Sequence, residues 1–141
     1  MIVGQKERVD GKGLVSAGPK VLTQATGRRE LKVAVVGSRS LRVADLGKYL
    51  PEGTTEILSG GAVGVDTSAR QYALAHAIPL TEFLPDYRRY GRAAPLKRNI
   101  SIIESADLVL AFWDGASHGT RFVIENCRRL GVPVRVFRWG E

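Results

Sequence analysis

The feature that most constrains this chain is a series of five short apolar runs. They read LKVAVVGS (31–38), TEILSGG (55–61), PLTEFLP (79–85), ADLVLAFW (106–113) and VPVRVFRW (132–139). Most are followed by glycine or a polar cluster, and segments with helical spacing lie between them: 41–50, VDTSARQYALAHA (65–77), LKRNISIIESA (96–106) and TRFVIENCRRLG (120–131). Buried strands alternating with helices across short glycine-containing loops require a parallel sheet covered on both faces. Right-handed crossovers then give an α/β fold, a Rossmann-like doubly wound parallel sheet of about five strands with helices on both faces. In such a sheet a ligand binds beyond the carboxyl ends of the strands, so the loops after the first four runs are the candidate site.

Residues 1–30 break this pattern. They are basic, contain glycine and lack aromatics, and they read as an appendage, with Asp10-Gly11 either turning a hairpin or lying in a flexible extension. The remainder, 31–141, is one domain. No apolar run is long enough to cross a bilayer, and the N-terminus lacks a signal-peptide layout, so no membrane partner is expected. A single cysteine, Cys127, excludes an internal disulfide framework and fits a cytoplasmic protein. No His, Cys or carboxylate cluster has metal-ligand spacing, so no metal and no cofactor is expected. The net charge of +7 and the pI near 10.0 fit equally a phosphate-bearing partner, nucleic acid or nucleotide, and an Arg-rich surface that serves stability or solubility.

Three strand ends carry candidate chemistry. Gly37, Ser38, Arg39 and Ser40 close the first run with two hydroxyls and a forked cation suited to an oxyanion. Gly60, Gly61 and Gly64 open the next helix in the spacing GGxxG, which is not the dinucleotide fingerprint GxGxxG. Glycine there allows close backbone approach, and free amides at a helix start attract an anion. Asp66 would repel an adjacent phosphate, so it is expected to cap the helix or to bind ribose hydroxyls. After the fourth run, Ser117, Gly119 and Thr120 offer hydroxyl and amide donors at another helix start, with Trp113 placed to flank a base. The loop DYRRYGRAAP and the helix after it carry Arg88, Arg89, Arg92, Lys97 and Arg98 among Tyr87 and Tyr90. Cations interleaved with aromatics suit a mononucleotide or single-stranded nucleic acid. The pair Arg98-Asn99 is expected to converge with Ser38, Gly61 and Thr120 on one crevice. Cutting Arg98 to Ala is expected to weaken ligand binding with little effect on folding.

In chain order these residues resemble the SLOG superfamily of Rossmann-like nucleotide-binding proteins, and most closely its YspA-like branch. The resemblance rests on Gly37-Ser38-Arg39, the turn from Gly60 to Asp66, Arg98-Asn99, Ala106 to Phe112, and Ser117 to Thr120, and it covers residues 32–137. It implies a crevice that binds a nucleotide, NAD-like or ADP-ribose-like ligand as sensor or carrier, with Ser38, Gly61, Gly119 and Thr120 as phosphate holders. Two more distant likenesses imply other activities. Cytokinin-activating phosphoribohydrolases release free base from a nucleoside monophosphate; Arg98 matches their arginine, but Val123 stands where their glutamate is found, and Glu125 lies two positions on. DNA-processing protein A shares a similar glycine turn and an RN pair, which keeps single-stranded DNA among the readings. The apolar strip of TRFVIENCRRL reads either as a homodimer face or as the chain's own core.

Overall fold

The computed structural model describes Gly4–Arg8 and residues 29–139. Each apolar run forms a strand: β2 (Lys32–Gly37), β3 (Glu56–Ser59), β4 (Leu80–Pro85), β5 (Leu108–Trp113) and β6 (Val134–Arg138). These pair in parallel in the order β4-β3-β2-β5-β6, with Val33 opposite both Ile57 and Leu108. All their carboxyl ends therefore lie along one edge of the molecule. β1 (Gly4–Arg8) adds a sixth, antiparallel strand beside β4, within the stretch expected to be an appendage. The expected Asp10-Gly11 turn lies outside the described residues.

Alternate side chains of the strands feed two cores, as a pleat of period two demands. On one face Val33, Val35, Ile57, Leu80, Leu110 and Phe112 pack against Val65, Ala69 and Ala73 of α1 (Val65–Ala75). Of the helices that follow, α2 (Tyr87–Tyr90) is a single turn. On the other face Ala34, Val36, Leu58, Phe83, Val109 and Ala111 meet Ile102 and Ile103 of α3 (Ala94–Ser105). Val123, Ile124 and Cys127 of α4 (His118–Leu130) complete that layer. Fully burying a Leu, Ile or Phe side chain contributes about 1.5–3 kcal/mol, so both layers are needed to hold the sheet. The apolar strip of α4 thus faces this chain's own core.

Two segments differ from their sequence pattern. The helix expected over 41–50 shrinks to a 3₁₀ turn, Leu46–Lys48. The amide of Val43 is taken by the hydroxyl of Ser68, 2.9 Å away on α1, and Gly47 lies against Tyr72, whose Oη would be 2.6 Å from an added Cβ. The loop DYRRYGRAAP instead coils into α2, capped by the Asp86 carboxylate on the Arg89 amide, and a 3₁₀ turn, Gly91–Ala93. Pro95 then stands at the start of α3, where its missing N–H costs nothing. Among the described residues no helix is long and apolar enough to cross a membrane.

Candidate functional site

A cleft of about 460 Å³ opens at the carboxyl ends of β2, β3 and β5, between α3 and the starts of α1 and α4. Gly37, Ser38, Arg39, Gly60, Asp66, Arg98, Asn99, Ser117, Gly119 and Thr120 line it, so four separate stretches of the sequence converge there as expected. Gly61, Gly64 and Trp113 do not line it. Ser40 lines the cleft as well, and residues that sequence reasoning passed over, Val36, Ala62, Pro95, Leu96, Ile102, Asp114 and Val123, complete the walls.

Arg98 dominates the floor. It is buried on α3, where its Nη1 donates to the carbonyls of Gly60 at 2.7 Å and Phe83 at 3.2 Å, and its Nε donates to Asn99 Oδ1 at 2.8 Å. Nη2 makes no hydrogen bond among the described residues. Since no buried side-chain nitrogen or oxygen there lacks a partner, Nη2 is accessible at the cleft wall. Burial pushes the Arg98 pKa below its ordinary value, the Asp66 charge opposes that, and nearby Arg39 adds to it. Arg39 itself is exposed and makes no hydrogen bond or ion pair among the described residues. The cleft therefore holds two cations, Arg39 and Arg98, beside two carboxylates, Asp66 and Asp114, and of the cations Arg39 is left unpaired to meet an anion.

The glycine turn is explained by chain crossing chain. Gly64, at φ 83°, passes so close to Arg39 that an added Cβ would lie 2.4 Å from the Arg39 carbonyl oxygen. An added Cβ on Gly37 would lie 2.4 Å from the carbonyl oxygen of Phe112, and one on Gly61, at φ 71°, 3.0 Å from Leu84. Gly61, expected to hold phosphate, thus packs toward β4. Asp66 lines the cleft but is not the expected helix cap. Its Oδ2 accepts the Ala62 amide at 3.1 Å, which fastens the turn, and no α1 amide is capped by a side chain. Burial raises its pKa against the lowering effects of the Ala62 amide, Arg98 and Ser59.

Ser38, a second expected phosphate holder, is buried and turned inward. Its hydroxyl accepts the Asp114 amide at 3.2 Å, while the Ser40 hydroxyl donates to the Asp114 carboxylate at 3.3 Å. Asp114 in turn accepts the amides of Ala116 and Ser117, both at 2.8 Å, which hold its carboxyl below the usual range. Ser117 caps α4 by accepting the Thr120 amide at 3.4 Å, and its Oγ lies 3.2 Å from Thr120 Oγ1. Thr120 is thereby committed within the protein. The amides of His118 and Gly119 are left without an acceptor among the described residues, and a Cβ on Gly119 would meet nothing within 4 Å. Trp113, expected to flank a base, instead donates its indole N–H to the Ser117 carbonyl at 3.0 Å. Pro95 and Leu96 supply an apolar wall in its place. Among the described residues no group of His, Cys, Asp and Glu side chains could hold a metal.

Fold and cleft together define an α/β protein of Rossmann-like layout with a polar crevice, lined by Arg39 and Arg98 and by Asp66 and Asp114, at its sheet's carboxyl edge. The chain is 32% identical over 84 residues to the Gene 61 protein of Mycobacterium phage D29, a match spanning 55% of this chain and 67% of the phage protein, and it belongs to that protein's family. The name of that relative states neither a ligand nor a reaction. No family model matches the chain, and no solved structure matches it.

Proposed function

We propose that the cleft binds a nucleotide or nucleotide-derived ligand through its phosphate, as a sensor or carrier of the SLOG type. The observation that carries this reading is the meeting of Arg98 Nη2 and the unpaired Arg39 with the open first turn of α4 in one cleft. A helix start contributes about half a positive charge, and two guanidiniums add forked donors for phosphate oxygens. Pro95 and Leu96 give a base or sugar an apolar wall. The Ala62 amide of the glycine turn is already taken by Asp66, whereas the amides of His118 and Gly119 have no acceptor among the described residues, so the phosphate belongs on the α4 side. The lone Cys127, buried and with its thiol pushed up to about 11, suits the cytoplasmic location that belongs to the same proposal.

The phosphoribohydrolase reading fares less well. Val123 is buried at the cleft wall, and Glu125 is exposed and lines no part of the cleft. The family's carboxylate thus has no counterpart on α4, and Asp114 is the ionised carboxylate nearest that role.

A thermal-shift series with nucleoside monophosphates, nucleoside diphosphates, NAD, ADP-ribose and the matching nucleosides tests the proposal. A ligand at 100 times its Kd adds about 2.7 kcal/mol of stability, so binding registers as a clear shift in Tm. Phosphorylated ligands should shift Tm and bare nucleosides should not. Equal shifts with both, or none at all, would overturn it.

A further inference from the structure

Two clusters of cations, each built on an aromatic ring, flank the cleft along the same edge of the sheet. After β4, Tyr90 carries the Arg89 guanidinium at 5.4 Å and the Lys97 ammonium at 5.6 Å, with Arg88 and Arg92 exposed beside them. At the opposite end, Trp113 carries the guanidiniums of Arg121 and Arg138, both 5.7 Å from its ring. The second cluster is a built arrangement. Gly115, at φ 86°, vacates the space that the Arg138 guanidinium fills, since an added Cβ there would lie 2.3 Å from Arg138 Nη2. Arg121 and Arg138 make no ion pair and no side-chain hydrogen bond among the described residues. Two guanidiniums held on one indole without a carboxylate leave their forked donors for an external anion.

The clusters follow the end of β4 and the ends of β5 and β6, with β3 and β2 and the cleft between them. Three to four strand spacings of about 4.8 Å put them on the order of 14–19 Å apart. A single nucleotide filling the cleft does not reach both. A chain of phosphates does, since a strand advances about 3.4 Å along its axis per nucleotide even when stacked. Because cations occupy the ring faces, the aromatics here position charge for phosphates.

We infer that the carboxyl edge of the sheet is a track for single-stranded nucleic acid, gripped by the Tyr90 and Trp113 cation clusters and passing one nucleotide over the cleft. Only that last clause rests on the nucleotide reading of the cleft; the track depends on the clusters alone.

Fluorescence anisotropy with a labelled oligothymidylate of about ten nucleotides, across a salt series, tests it. For the wild-type protein, affinity should fall steeply with salt. The double variant Arg121→Ala/Arg138→Ala should lose about tenfold in affinity at low salt and flatten the log–log salt slope by about 1.4, the value for two phosphate contacts on a single strand. Its Tm and its affinity for a nucleoside monophosphate should stay unchanged. Arg92→Ala/Lys97→Ala should do the same from the other end, which keeps the test decisive should the first variant lose its fold. No oligonucleotide binding, or unchanged affinity and slope in both variants, overturns the track. So does a loss confined to nucleoside triphosphate, which would make the Trp113 cluster a subsite for a free polyphosphate. Oligonucleotide binding that depends on the clusters without any mononucleotide binding would leave the track standing and sink the cleft reading.

Discussion

The Nη1 of Arg98 lies 2.7 Å from the carbonyl oxygen of Gly60, so the cation that faces the cleft also ties down the turn after β3. An added Cβ on Gly60 would sit 2.8 Å from that same Nη1, and glycine at this position is what admits the contact. Binding and folding therefore share one side chain. The expectation that Arg98→Ala spares folding does not survive this geometry.

Truncating Arg98 removes the donor that holds the Gly60 carbonyl at 2.7 Å, at about 1–3 kcal/mol for a buried group left unsatisfied. Arg98→Ala should thus lose about 1–3 kcal/mol in urea unfolding and also lose nucleotide binding when assayed well below its Tm. Arg98→Lys, with one nitrogen for three duties, should recover part of the stability and little of the affinity. A variant that binds normally would remove Arg98 from the site.

Gly64 and Gly119 separate the two uses of glycine in this chain. Gly64→Ala forces a side chain into the Arg39 backbone at positive φ, and should cost more than about 2 kcal/mol or prevent folding. Gly119→Ala adds a methyl where no protein atom lies within 4 Å, at the wall of the cleft. Its Tm should hold or rise, since Ala is the better helix former, while nucleotide affinity should drop about tenfold, or 1.4 kcal/mol. Unchanged affinity in Gly119→Ala would put the phosphate elsewhere.

Asp66 gives a pH signature. Its carboxyl titrates above its unfolded value of about 3.9 because burial disfavours the charge. Between the two values the folded state holds more protons than the unfolded state, so stability from this group is greatest below about pH 3.9 and declines as pH rises through the folded value. Asp66→Asn keeps an acceptor for the Ala62 amide and cannot titrate. On lowering the pH from neutral, the wild type should gain stability relative to Asp66→Asn in paired melting curves. The opposite trend would mean that Arg98 and the turn amide outweigh burial.

How far the sequence discloses this structure depends on how far apart the deciding contacts lie. The strands β2 to β6 were legible because burial on both faces writes itself as continuous apolar runs. The edge strand GQKER was not, since it is polar and owes its conformation to pairing with β4. The cleft was legible as a set of strand ends, yet the roles within it were not. Asp114 matters through Ser38, 76 residues away, and Gly64 through Arg39, 25 residues away, and neither contact leaves a local pattern. Trp113 was misplaced for a related reason. Adjacency to a site in sequence does not say which side of the strand end the ring will take, and here its N–H found the Ser117 carbonyl.

A phosphoribohydrolase needs a carboxylate beside the sugar to stabilise an oxocarbenium-like state, and α4 presents buried Val123 to the cleft while Glu125 stays outside it. Asp66 is committed to the Ala62 amide, and Asp114 to the amides of Ala116 and Ser117. Incubation with adenosine or guanosine monophosphate, followed by chromatography for free base, should therefore show no release above the buffer rate, even where the thermal-shift series shows binding. Were base released, Asp114 would be the residue to remove, because it is the ionised carboxylate at the cleft wall. An activity lost in Asp114→Asn with nucleotide affinity retained would convert a binding module into an enzyme with a relocated carboxylate.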